Sequence, residues 1–135
     1  MSQTATIAND SAALRDFVDA EIAPRARQWD EDEHMPRQHA ARLANAGLLA
    51  MTAPPDVGGP GLSPLQAARV ISEIARGCAV SARLVVDSNF GAIQILDKFG
   101  APEIRQRYLP GILEGATLIS IAITEPNAGS AANEL

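Results

Sequence analysis

Ile121-Ala122-Ile123-Thr124-Glu125-Pro126-Asn127-Ala128-Gly129-Ser130-Ala131 lies within a few residues of the C-terminus. The apolar run at 118–123 that feeds it reads as a buried β-strand, spanning about 117–124. The strand then breaks into a loop of Thr, Glu, Pro, Gly and Ser. Gly129 lets a backbone approach a ligand closely. Thr124 and Ser130 offer hydroxyls, and the backbone N–H groups of the loop are free donors. A strand that exits this way suits a flat, polar-edged cofactor or a pyrophosphate; a plain strand ending in a turn is the alternative.

Everything before that stretch is helical in pattern. Asp10 or Ser11 can cap a first helix, and Leu14, Phe17, Val18 and Ile22 make one apolar face of it. Pro24 removes a backbone donor, so a kink is expected before the pattern resumes at Ala26 and Trp29, a core residue. Residues 30–33 read as a solvated acidic link. Pro36 suits the first turn of a second helix with Ala40, Leu43 and Ala44 inward, and Gly47 suits its C-terminal stop. The Pro- and Gly-rich stretch 53–64 is a rigid connector. Ser63 can cap a third helix with Leu65, Ala68, Ile71, Ile74 and Ala75 inward. Residues 80–99 read as one long helix, which Gly91 interrupts at a cost of about 1 kcal/mol relative to Ala. Something must approach closely at Gly91: another helix, or a ligand. Pro102 opens a last helix with Ile104, Tyr108 and Leu109 inward, stopped by Pro110 and Gly115. The sum is five helices and one strand, an all-α helical bundle followed by a strand.

Composition narrows the function classes. At 135 residues the chain can bury roughly two-thirds of its unfolded surface. A net charge of −5 with no basic run argues against nucleic acid or an anionic membrane as partner. Cys78 is the only cysteine, so no disulfide framework is expected, and it reads as a small buried hydrophobe. His34 and His39 lie five apart without partner ligands; both read as surface residues, and no metal site is expected. No signal peptide or membrane span is visible, so a soluble cytoplasmic protein is expected.

The quoted stretch also closely resembles the Thr-Glu-Pro-x-Ala-Gly-Ser-Asp signature of the acyl-CoA dehydrogenase family. Glu-Ile-Ala-Pro at 21–24, Gly47-Leu48-Leu49, Pro-Pro-Asp-Val-Gly-Gly-Pro-Gly at 54–61, Phe99-Gly100 and Arg107-Tyr108-Leu109-Pro110 fall in the family's order and spacing. The resemblance covers about residues 10–131. Residues 1–9, small and polar, read as a disordered N-terminal end, and the resemblance implies an N-terminal helical domain at 10–115. Residues 116–135 would then be the start of a middle β-barrel domain. The chain looks like the first third of such an enzyme, and the lone strand would need a partner from a second polypeptide or another copy.

The activity implied by the resemblance is FAD-dependent α,β-dehydrogenation of an acyl-CoA, with hydride passing to flavin N5. The base is a Glu of the family's C-terminal domain that no residue here matches, so this chain alone is expected to be inactive. Neither Glu125 nor Glu134 replaces it. The resemblance assigns Ile121, Ile123, Thr124, Gly129 and Ser130 to the FAD, and Ser130, Val86, Phe90 and Gly91 to the acyl-CoA. It further implies an electron acceptor such as an electron-transfer flavoprotein, and assembly into homo-oligomers. Ala131 departs from the pattern, where the family usually has Asp. An acyl-CoA oxidase, a flavin monooxygenase and a non-catalytic helical module that binds a partner through the strand are the alternatives.

Overall fold

The computed structural model describes residues 7–126 and 128–130. The expected disorder at 1–9 falls largely outside these residues, as do Ala131 and Glu134. Ile7–Asn9 form a 3-10 turn. The architecture is helical: α1 (Ser11–Phe17), a π turn (Val18–Ile22), α2 (Ala23–Glu31), α3 (Arg37–Asn45), α4 (Pro64–Gly77), α5 (Ala79–Asp87), α6 (Ala92–Phe99) and α7 (Pro102–Leu113).

Asp10 caps α1 by accepting from the N–H groups of Ala12 and Ala13. Pro24 does not end the helix. The chain widens into the π turn, where the N–H of Ala23 donates to the carbonyl of Val18, five residues back. Pro24 has no N–H for the carbonyl of Ala20, and the Arg25 guanidinium donates to the carbonyls of Ala20 and Glu21 at 3.4 and 2.7 Å instead. Gly47, at φ +73°, closes α3, with the Leu48 N–H reaching back to the Leu43 carbonyl. Ser63 and Gln66 form a reciprocal capping box at the start of α4, with Pro64 in its first turn.

Two apolar clusters hold the helices. The larger joins Leu14, Val18 and Ile22 to Leu43, Leu48, Met51, Val70, Ile74 and Val85, with Trp29 half-buried against it. The smaller joins Ala50, Ala53, Ile93, Leu109 and Ile112, and Ile119 packs on it.

Several expectations are corrected. No strand forms at 117–124: among the described residues, 118–124 make no backbone hydrogen bond, and the only pairing nearby is an isolated bridge between Glu125 and Ala128. A strand needs a neighbour for its N–H and C=O groups, and the described residues supply none. The helix read over 80–99 is two helices, because Ser88–Gly91 turns a corner. The buried stripe of α4 is Ala67, Val70 and Ile74, while Leu65, Ala68 and Ala75 are exposed and Ile71 is half-buried. The same 3.6-residue period fits either stripe, and the packing against the π turn selects one. In α7, Leu109 and Ile112 are buried, whereas Ile104 and Tyr108 are exposed. Pro110 sits inside α7 on its exposed side and does not stop it. Pro36 is the N-cap of α3 rather than part of its first turn.

His39 is the largest departure. It is buried rather than at the surface, with 1% of its area exposed. Its Nε2 lies 2.9 Å from Ser81 Oγ on α5, and its ring packs 4.4 Å from that of Trp29. Nδ1 has no hydrogen-bond partner among the described residues. Burial, together with the nearby Arg42 and Arg25, holds its pKa down at about 4.

Candidate functional site

The corner between α5 and α6 fixes the site. Asn89 is fully buried in it, and its side-chain amide donates to the carbonyls of Val85 and Leu48 at 2.8 and 3.1 Å. Its Oδ1 accepts from the Thr52 N–H at 3.3 Å, and its main-chain carbonyl accepts from Thr52 Oγ1 at 2.6 Å. Gly91 follows at φ +58°, ψ −98° as the N-cap of α6. That backbone conformation excludes a side chain at low cost.

The group that approaches Gly91 is the side chain of Ile121. A Cβ built on Gly91 would lie 2.8 Å from Ile121 Cδ1. Gly91 is therefore the cap of a new helix against the C-terminal segment, not an interruption packed on another helix. Beside this contact, α6 and residues 119–122 enclose an open groove of about 440 Å³. Its walls are mainly apolar, with Ile95, Leu96, Phe99 and Ile119 on them and no titratable side chain.

Of the residues assigned from the sequence, Gly91 and Ile121 are brought together. Phe90 is half-buried against the larger apolar cluster, and Val86 is also half-buried. Ile121 and Ile123 keep 44% and 55% of their area exposed, and Thr124, Gly129 and Ser130 are exposed. Nothing lies within 4 Å of a Cβ built on Gly129, which leaves that side of the loop open. Ala128 beside it is buried. Among the described residues the segment thus presents backbone N–H and C=O groups at 118–124 and a Thr124 hydroxyl without hydrogen-bond partners, beside apolar side chains. They include no acid or base positioned to move a proton; Glu125 is exposed and its backbone pairs with Ala128.

Sequence reasoning missed Asn89 and Thr52. The signal for Asn89 was a polar residue following the apolar run Leu84-Val85-Val86, which a buried hydrogen-bonding role explains. Nothing local marked Thr52.

The described residues define a helical domain, a bundle of short helices followed by an extended, apolar segment at 118–124 that makes no backbone hydrogen bond among them. Residues 10–116 match the acyl-CoA dehydrogenase N-terminal domain, and the chain belongs to that family. It is 40% identical over 124 residues to a 3-sulfinopropanoyl-CoA desulfinase of Variovorax paradoxus, covering 92% of this chain and 31% of that protein. It is 34% identical over 116 residues to the mitochondrial short-chain specific acyl-CoA dehydrogenase of Homo sapiens, covering 86% and 28%. Its fold superimposes with a TM-score of 0.77 on an acyl-CoA dehydrogenase complexed with FAD from Bacillus anthracis. That structure is 25% identical, with 92% of this chain and 21% of that one covered. The chain thus spans about a third or less of the length of these relatives. Among the described residues no helix is long and apolar enough to cross a membrane.

Proposed function

We propose that this chain is the N-terminal part of an FAD-dependent acyl-CoA dehydrogenase acting on a short acyl-CoA thioester. The observation that carries the reading is the largely exposed 118–124 segment, held to Gly91 by Ile121, whose backbone and Thr124 hydroxyl, without hydrogen-bond partners among the described residues, suit the rim of a flavin. Ile121 and Ile123 would pack on the ring system, Thr124 would bond its polar edge, and Gly129 and Ser130 would let the loop run close to the pyrophosphate. Ser130, Val86, Phe90 and Gly91 would border the acyl-CoA. When bound, FAD supplies the acceptor for the β-hydrogen of the thioester. The residues of this chain bind, orient and exclude water; the base that takes the α-proton is contributed from outside it. A cytoplasmic location, a homo-oligomer completed by the remaining domains, and an electron acceptor such as an electron-transfer flavoprotein complete the reading.

A second reading is favoured by one observation: identity to the desulfinase is higher than to the short-chain dehydrogenase, 40% against 34%. Under it the same flavin-lined site would take 3-sulfinopropanoyl-CoA. The test is a chimaera in which residues 10–130 replace the matching segment of the Variovorax enzyme. Retained yellow flavin supports the binding role, and a colourless, folded chimaera overturns it. Because the base lies outside this chain, the chimaera tests flavin binding only; sulfite release from 3-sulfinopropanoyl-CoA against flavin bleaching by a short saturated acyl-CoA, measured on this chain joined to its own remaining domains, separates the two reactions.

A further inference from the structure

The chain holds its proposed flavin-lining segment from behind. Ala50 is fully buried and sits at φ +50°, a left-handed conformation that a non-glycine residue adopts only when its surroundings impose it. The residues on either side of it are gripped by one side chain. Asn89 bonds the Leu48 carbonyl before Ala50 and the Thr52 N–H after it. Thr52 returns the contact by donating to the Asn89 carbonyl. The same corner carries Gly91, on which Ile121 rests, while Ala50 and Ala53 belong to the smaller apolar cluster, with Ile93, Leu109 and Ile112, on which Ile119 packs. The Ile121 anchor therefore stands two residues from Asn89, and the cluster under Ile119 includes Ala50 and Ala53 of the turn that the clasp holds.

We infer that Asn89 and Thr52 are positioning residues that set the place of Ile121, and so of the residues through Thr124, by locking the strained 48–53 turn to the α5–α6 corner. This deepens the functional reading above and rests on it for its purpose, but the coupling itself is a property of the chain without any ligand. Asn89 is fully buried and Thr52 half-buried, the two are joined by two hydrogen bonds, and both are far in sequence from the segment they serve. That is the pattern of a support that locks the groups touching a ligand rather than touching the ligand itself.

The test is methyl NMR on the full chain labelled at the isoleucine δ1 methyls, with Ile121 assigned by Ile121→Val. Thr52→Val keeps the shape of the side chain and removes its hydroxyl; Thr52→Ser restores the hydroxyl. The expected result is loss of the NOE between the Ile121 δ1 methyl and the Gly91 α-protons in Thr52→Val. The Ile22 and Ile74 methyls should stay in place, and the NOE should return in Thr52→Ser. Persistence of the NOE in Thr52→Val overturns the proposal, as does a common shift of all isoleucine methyls or the absence of the NOE in the parent chain. Because the readout uses no flavin, a colourless chimaera with this coupling intact would remove only the functional reading.

Discussion

His39 Nε2 on α3 lies 2.9 Å from Ser81 Oγ on α5, forty-two residues later, while its Nδ1 is buried without a partner among the described residues. The ring is held neutral, with its pKa lowered to about 4 by burial and by Arg42 and Arg25. In the unfolded chain the same group titrates near 6.5, the ordinary value for an imidazole. Above that pH both states carry a neutral ring and this group costs nothing. As pH falls from 6.5 towards 4 the unfolded state binds the proton first, so stability drops by roughly 3 kcal/mol across that window and then levels off. Urea unfolding followed by Trp29, the only tryptophan, measures this. His39→Gln should lack that part of the loss between pH 7 and 4. An identical pH profile in parent and variant would contradict the assignment.

Why His39 was read as a surface residue also shows how far the sequence could be read. The starts of α1, α4 and α7 and the end of α3 are legible because Asp10, Ser63, Pro102 and Gly47 act locally, through bonds within a few residues, whereas the α5–α6 corner and the passage of α7 through Pro110 are not. The burial of His39 depends on Trp29 and Ser81 arriving from α2 and α5, which no local pattern encodes. The 117–124 segment failed in the opposite way. Its composition does favour a strand, but strand formation is a property of pairs, and the described residues contain no pairing partner. The Ile121–Gly91 contact was half-legible: glycine in an apolar helical pattern announced a close approach, and only the fold could name the visitor.

Gly77 closes α4 against the π turn, and a Cβ there would lie 2.5 Å from Val18 Cγ1. Val18 has no exposed area, so it cannot swing into solvent. Gly77→Ala should therefore destabilise by about 1–3 kcal/mol through overpacking, despite the better helix propensity of Ala. Val18→Ala alone should cost roughly 1–3 kcal/mol as a cavity. Combined, the two should cost less than their sum, by about 1 kcal/mol or more, because the second truncation makes room for the first. Thermal unfolding of the four proteins closes the cycle, and simple additivity would show that the Gly77–Val18 contact does not limit packing.

Cys78 has 8% of its area exposed, and its sulfur accepts from the Ser81 N–H at 3.4 Å as the N-cap of α5. Reaction with a thiol reagent needs both access and thiolate. In the native chain Cys78 should react orders of magnitude more slowly than in urea, with a rate that follows the unfolding transition. Rapid stoichiometric labelling at neutral pH without denaturant would place the sulfur at the surface and contradict its packing between α4 and α5.

Leu118, Ile121 and Ile123 are 53%, 44% and 55% exposed on a segment that makes no backbone hydrogen bond from 118 to 124. Apolar side chains beside unpaired N–H and C=O groups are a template for intermolecular pairing. Self-association of the 135-residue chain should therefore rise steeply with concentration, through these residues and not through the bundle. Leu118→Lys with Ile123→Lys places two charges on that edge and should shift light scattering towards monomer. The melting temperature should hardly change, since neither side chain lies in a cluster that supports the helices, and the expected effect is within about 0.5 kcal/mol. The choice of these two positions is deliberate: Ile119 packs on the smaller cluster and Ile121 on Gly91, so charging either would disturb packing and association together. If the double variant associates as strongly as the parent, the exposed faces of α6 and α7, with Ile95, Phe99 and Tyr108, become the surfaces responsible.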